Sequence, residues 1–155
     1  MILGNEDRDL LYGGAGADTL DGGTGNDRLH RGNAGDVVRG GRGHDTLIGG
    51  LGADTLEGGI GHDLFIVNAG ASVVGRGDVI QDFTSGEDRI DLKGAGVTAF
   101  IGDAGFTGHD GVIEARFDAA QQHLEANLND DGIFGSGDLV ISGIHTITAA
   151  DLVLA

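Results

Sequence analysis

Gly40–Ile48 reads GGRGHDTLI, Gly49–Glu57 reads GGLGADTLE and Gly58–Ile66 reads GGIGHDLFI. One nonapeptide, Gly-Gly-x-Gly-x-Asp-x-apolar-x, stands end to end in these copies. Toward the N-terminus it recurs in Gly13–Asp21 (GGAGADTLD) and Gly22–His30 (GGTGNDRLH). Two poorer copies complete the run. Gly4–Tyr12 (GNEDRDLLY) has Asn5 and Asp7 where glycine is expected, and Arg31–Arg39 (RGNAGDVVR) has Arg31 in the first place and Ala34 in the fourth. The sixth place is always aspartate: Asp9, Asp18, Asp27, Asp36, Asp45, Asp54 and Asp63. The eighth is always apolar: Leu11, Leu20, Leu29, Val38, Leu47, Leu56 and Phe65. A flexible glycine linker has no reason to hold apolar residues in one phase. A fixed period marks a repeat architecture in which each unit stacks on its neighbours.

Glycine in the first, second and fourth places allows backbone angles that a Cβ disfavours. Such a turn can point successive carbonyl oxygens inward, and the aspartate adds a charged oxygen. Calcium takes about six to eight oxygen ligands, and backbone carbonyls with carboxylates suit it. The expected ligands are the seven sixth-place aspartates, with backbone oxygens from Gly13, Gly14, Gly16, Gly22, Gly23, Gly25, Gly40, Gly41, Gly43, Gly49, Gly50, Gly52, Gly58, Gly59 and Gly61. Two nonapeptides make one coil, so turns eighteen residues apart stack. One edge then aligns Asp9, Asp27, Asp45 and Asp63, and the other aligns Asp18, Asp36 and Asp54. Stacked strands lie about 4.8 Å apart. Carboxylates at that spacing repel one another unless a cation lies between them. One ion per adjacent pair gives about five calcium ions, with more at the ends. Weaker or distorted sites are expected at the two poorer copies, where Asn5 tolerates left-handed angles better than Ala34.

The chain has 155 residues, enough for one domain or two small units. Its formal net charge of −16 disfavours nucleic acid and anionic membranes as partners and favours cations. It has no cysteine, so no disulfide holds the thin core, and bound metal is the candidate staple. One buried apolar side chain per repeat does not offset the backbone entropy of so many glycines. The metal-free repeats are therefore expected to be largely unfolded. No apolar run is long enough to insert across a bilayer. The N-terminus lacks the basic and apolar segments of a secretory signal peptide. Met1 leads almost directly into a repeat, so the chain reads as the C-terminal part of something longer.

After Ile66 the nine-residue phase stops. Asn68–Gly77 reads as a loop. Val79–Phe83 and Arg89–Leu92 read as short strands joined by a turn at Thr84–Asp88. Gly111–Phe117 and His123–Leu128 alternate apolar and polar residues around Asp118–Gln122, the pattern of a hairpin. Asp138–Ser142 is a further strand, and Ser142–Ala155 ends in an acidic residue followed by apolar ones. These segments suggest an antiparallel β-sandwich-like cap, which a solenoid needs because an open terminal strand invites edge pairing. Asn127, Asn129, Asp131, Gly132 and Asp138 fall at the spacing of an EF-hand calcium loop. Their strand-like flanks fit a polar hairpin loop equally. His44 and His62 share the fifth place of same-edge turns and should stack on the surface. His30, His109, His123 and His145 show no ligand spacing. His-Glu-x-x-His, Gly-x-Ser-x-Gly and phosphate-loop motifs are absent, so the chain reads as non-catalytic.

The nonapeptide resembles the calcium-binding repeat of RTX proteins. Asp78–Leu92 (DVIQDFTSGEDRIDL) resembles the D-x-I-x-D-F-x-x-G-x-D-x-I-D-L segment that follows the repeats in serralysin-type proteases. The resemblance implies an all-β fold, with a right-handed parallel β-roll over residues 1–66 and a capping and secretion-signal region over 67–155. It implies that Asp78 helps coordinate calcium at the end of the roll. It also implies export from a Gram-negative bacterium by a type I secretion machinery, with an N-terminal cargo domain in the same parent protein. Several serralysins end in Asp and three apolar residues; here Asp151-Leu-Val-Leu is followed by Ala155. In this reading the acidic repeats stay extended in the calcium-poor cytosol and fold outside the cell. The alternative is a carbohydrate-binding accessory role, since comparable modules accompany alginate epimerases and assist substrate binding. The negative charge opposes an anionic polymer unless calcium bridges the two.

Overall fold

A computed structural model describes residues 1–68, 77–102, 104, 112–128 and 139–155. Strands alternate along the chain: β1 (Ile2–Asn5), β2 (Leu10–Tyr12), β3 (Thr19–Thr24), β4 (Arg28–His30), β5 (Val37–Arg42), β6 (Thr46–Ile48), β7 (Thr55–Ile60) and β8 (Leu64–Ile66). Odd strands pair in parallel as β1-β3-β5-β7, and even strands as β2-β4-β6-β8. Each register step is eighteen residues, as in Leu11↔Leu29, Leu29↔Leu47 and Leu47↔Phe65. This is a parallel β-solenoid whose coil is two nonapeptides. The eighth-place side chains make its core: Leu20, Leu29, Val38, Leu47 and Phe65 are fully buried and Leu56 and Leu11 nearly so. A strand of this length offers one inward position flanked by two outward ones, which is why one apolar residue per repeat suffices.

The solenoid continues past the last nonapeptide. β9 (Asp78–Ile80) adds to β7 with Ile80 beside Leu56, and β10 (Arg89–Asp91) adds to β8 with Ile90 beside Phe65. The expected strand pair is thus split between the two sheets as a further coil, making about five in all. Asp78-Val-Ile80 and Asp88-Arg-Ile90 keep the Asp-x-apolar ending of the repeat, which puts an isoleucine into the core column each time. The turn between them closes through hydrogen bonds from the Glu87 and Asp88 N–H groups to the Thr84 carbonyl.

β11 (Ala99–Phe100), β12 (Glu114–Asp118), β13 (His123–Asn127) and β14 (Leu139–Ser142) follow, then β15 (Leu152–Val153). β12 and β13 form the expected hairpin, and β14 pairs antiparallel with β13. Among the described residues these strands are not a separate sandwich. β14 also pairs in parallel with β9, so the hairpin extends the first sheet to the order β1-β3-β5-β7-β9-β14-β13-β12-β11. β15 covers the far edge of the second sheet beside β10. At the C-terminal end of the solenoid the last coil's strands β9 and β10 are therefore both paired, which covers their hydrogen-bonding rows. No described segment is an α-helix, and no helix is long and apolar enough to cross a membrane.

Candidate metal centres at the two turn edges

The eighteen-residue coil places the aspartates in two columns, as the spacing predicts. On the first edge the backbone N–H of Asp9 donates to Asp27 Oδ1, Asp27 to Asp45 and Asp45 to Asp63, each at 2.8 Å. On the second edge Asp18 donates to Asp36 and Asp36 to Asp54, both at 2.7 Å. One oxygen of each carboxylate from Asp27 onward thus ties its turn to the turn before. The other oxygen is the informative one. Oδ2 of Asp9, Asp27, Asp36, Asp45, Asp54 and Asp63 is buried without a hydrogen-bond partner. Uncompensated burial of an ionised oxygen is costly, and native proteins pair such groups or coordinate metal with them.

Glycine frames these oxygens. A Cβ at the first-place Gly22, Gly40 or Gly58 would strike Oδ2 of Asp27, Asp45 or Asp63 respectively. Gly13 and Gly49 hold the same place on the second edge. A Cβ at second-place Gly23, Gly41 or Gly59 would overlap the carbonyl oxygen of Asn5, Gly23 or Gly41 one coil below, and at Gly50 that of Gly32. Fourth-place Gly25, Gly43 and Gly61 meet the carbonyls of Asp7, Gly25 and Gly43 in the same way, and Gly52 that of Ala34. Carbonyls therefore point from one turn toward the next, where the aspartates stand. Gly14 and Gly16, in the outermost second-edge turn, have positive φ and open space around them. Asn5, Asp7 and Ala34 adopt the left-handed φ of the glycines they replace, at 81°, 72° and 79°.

No group of three or more His, Cys, Asp or Glu side chains converges among the described residues. The carboxylates stand in columns, one per turn, with hydrogen bonds between successive turns. A cation between turns would draw most of its ligands from backbone oxygens, which suits a hard ion of high coordination number such as calcium. The residues present fit that ion.

Two aspartates beyond the repeats extend the columns. Asp63 N–H donates to Asp88 Oδ1 at 3.0 Å, and Asp54 N–H to Asp78 Oδ1 at 3.1 Å. Asp78 was anticipated from the sequence and Asp88 was not. The signal for Asp88 was its Asp-x-apolar ending. The columns close differently. Asp88 Oδ2 accepts the Thr84 N–H at 2.9 Å. Asp78 Oδ2 meets Nη2 of Arg31 at 3.2 Å, and Nη1 of Arg31 lies 2.8 Å from Asp54 Oδ2. The Asp54 contact is ionic but not aligned as a hydrogen bond, which is why that oxygen still lacks a donor. Arg31 is fully buried. The sequence marks it as an imperfection of the repeat; the structure makes it a cation inside the second edge.

The remaining sequence candidates lie elsewhere. His44 and His62 stack with ring centroids 5.2 Å apart, and the His62 N–H donates to His44 Nδ1 at 2.8 Å. They are exposed and form a ladder outside the carboxylate columns. Asn127 is buried with Oδ1 unpartnered, while Asn129, Asp131, Gly132 and Asp138 lie outside the described residues. Asp151 is buried at the end of a short turn and accepts from Ser85 Oγ, Gly86 N–H, Thr148 N–H and Thr148 Oγ1. Burial pushes its pKa up, but these bonds outweigh it and hold it below the usual value.

Burial pushes Asp63 up to about 6 in the ion-free coil, with Asp45, Asp88 and Asp82 adding repulsion against the pull of the Asp45 N–H. Burial likewise brings Asp78 to about 6 despite Arg31, and raises Asp36, Asp45 and Asp88. A carboxyl with a raised folded-state pKa favours the coil when protonated. That contribution is complete below the unfolded value and vanishes as pH rises through about 6. In chelator, more β signal is expected at pH 5 than at pH 7. Calcium midpoints should rise as pH falls below about 6, because protons compete for the same oxygens. A calcium midpoint independent of pH between 7 and 5 would contradict this.

Fold and columns together define a class, the calcium-binding parallel β-roll. The model for the RTX calcium-binding nonapeptide repeat (4 copies) matches residues 1–29, and that for the peptidase M10 serralysin C terminal matches residues 20–154. The chain belongs to the serralysin C-terminal family and carries RTX calcium-binding repeats. Among solved structures it is similar to the AlgE6R2 subunit of the Azotobacter vinelandii mannuronan C5-epimerase. The identity is 23%, the match covers 99% of this chain and 92% of that one, and the TM-score is 0.51. The AlgE6R3 subunit of the same epimerase matches at 26% identity over 98% of this chain and 80% of that one, with a TM-score of 0.47. A comparison with curated proteins gave no match.

Proposed function

We propose that this chain is a calcium-responsive folding and secretion module of a larger exported bacterial protein. The observation that carries the reading is the row of buried Oδ2 atoms without a hydrogen-bond donor, in six of the seven repeat turns, set among carbonyls aimed between turns. The seven repeat aspartates supply the carboxylate ligands in this reading, the glycine turns supply backbone oxygens, and Asp78 ends the second column. The columns reach Asp88 and Asp78, so inter-turn slots number about four on the first edge and three on the second. Residues 1–66 act as the calcium-binding roll and 67–155 as the capping and export region. In calcium-poor cytosol the carboxylates repel, the repeats stay extended and the chain passes a type I channel. Extracellular calcium, at affinities on the order of 10⁻⁴–10⁻³ M for such modules, then drives folding. Membership of families typical of type I secreted proteins supports the extracellular setting.

Asp45 faces two slots, one shared with Asp27 and one with Asp63. Asp45→Asn should raise the calcium midpoint for folding about tenfold, the loss of about 1.4 kcal/mol of linkage. Export of a fused cargo should continue while its folding outside the cell slows. Unchanged calcium response and unchanged cargo folding would dispose of the proposal. A second reading, an accessory module that binds polysaccharide, draws support from the likeness to a subunit of a mannuronan epimerase. Titration with alginate in calcium separates the two: saturable binding favours the second reading.

A further inference from the structure

The last slots on the two edges differ in what lies beside the first-place glycine. On the first edge, between Asp63 and Asp88, the Asp63 Oδ2 is buried and partnerless, and a Cβ on first-place Gly58 would strike it. On the second edge, between Asp54 and Asp78, the corresponding space beside first-place Gly49 holds Nη2 of Arg31, 2.6 Å from where a Cβ would stand. The guanidinium reaches Asp54 Oδ2 with Nη1, Asp78 Oδ2 with Nη2 and the Ile48 carbonyl with Nε at 3.2 Å. It comes from the coil below Gly49, and Asp78 belongs to the coil above. We propose that the Arg31 guanidinium is a resident cation that takes the place of one calcium ion between Asp54 and Asp78.

The chemistry supports the exchange. A guanidinium keeps its charge at any physiological pH and presents a planar fork of donors, so one group serves two carboxylates and a carbonyl. The guanidinium stands against both carboxylates at once, so its fixed charge screens each from the other. A calcium ion added to the guanidinium would face direct repulsion at contact distance. The seam between the last regular coil and the post-repeat coil is thus closed by the chain itself, whereas the first-edge slots depend on metal.

The inference rests on the calcium reading, and ion counting on the full chain tests it. Native mass spectrometry and calorimetric titration in calcium chloride count bound ions in wild type and in Arg31→Gly. One additional ion per chain is expected in Arg31→Gly, which restores the consensus first-place glycine. An unchanged count overturns the proposal. Asp78→Asn decides the matter if Arg31→Gly does not fold in calcium. With the arginine in place, this variant should keep the wild-type count; loss of one ion shows calcium at that slot and overturns the proposal. A wild-type chain that binds no calcium removes the functional reading along with this one, an outcome distinct from a wild type that binds calcium with an unaltered count in Arg31→Gly.

Discussion

Removal of calcium from the full chain with a chelator should collapse the far-UV β signal of the roll, and calcium but not magnesium should restore it. The stacked carboxylates set this expectation. Asp27, Asp36, Asp45, Asp54 and Asp63 are all at most 2% exposed, and each has a buried Oδ2 without a donor. The core that opposes this repulsion is one side chain per repeat wide. A site filled at about ten times its dissociation constant adds about 1.4 kcal/mol by mass action. Several such sites make up a large share of the ~5–15 kcal/mol that holds a typical domain together. Magnesium demands a small octahedral shell and sheds water reluctantly, so widely spaced carbonyls between turns serve it poorly. A chelated sample with undiminished β signal and thermal midpoint would exclude metal as the staple.

The second large effect is expected at a glycine. Gly43 has φ of +135°, and a Cβ there would overlap the Gly25 carbonyl oxygen of the coil below. Gly43→Ala combines backbone strain of ~1–3 kcal/mol with an overpacking cost of ~1–3 kcal/mol, for about 2–6 kcal/mol together. Gly16 shares the repeat position and has φ of +93°, yet nothing lies within 4 Å of its Cβ direction. Gly16→Ala should cost only the left-handed strain, about 1–2 kcal/mol. Thermal unfolding of both variants in saturating calcium measures the difference. Equal destabilisation would show that positive φ, and not the close stacking of turns, is why glycine is required.

Asp27 and Asp45 show how far residue order alone reaches. Their eighteen-residue spacing by itself puts both on one edge, in adjacent turns, and the hydrogen bond between those turns agrees. The core residues Leu29, Leu47 and Phe65 were equally legible. A strict period leaves little freedom: once the coil length is set, every later copy must fall on the same track. Val79–Phe83 and Arg89–Leu92 were harder to place. Strand propensity found them, but propensity is blind to partners. Only the tertiary structure separates β9 from β10 into opposite sheets and turns an expected sandwich into an extension of the first sheet.

Linear order thus determined the repeating coil, its two aspartate edges and its apolar column, because these follow from short-range geometry copied many times. The fold in three dimensions decided how the second half continues the solenoid, which added Asp88 to one column and placed Arg31 inside the other. Those contacts join residues such as Arg31 and Asp78, which are 47 positions apart. Their pairing depends on the stacking of intervening coils and on burial that strips water from both charges, and neither quantity is written in the neighbours of either residue.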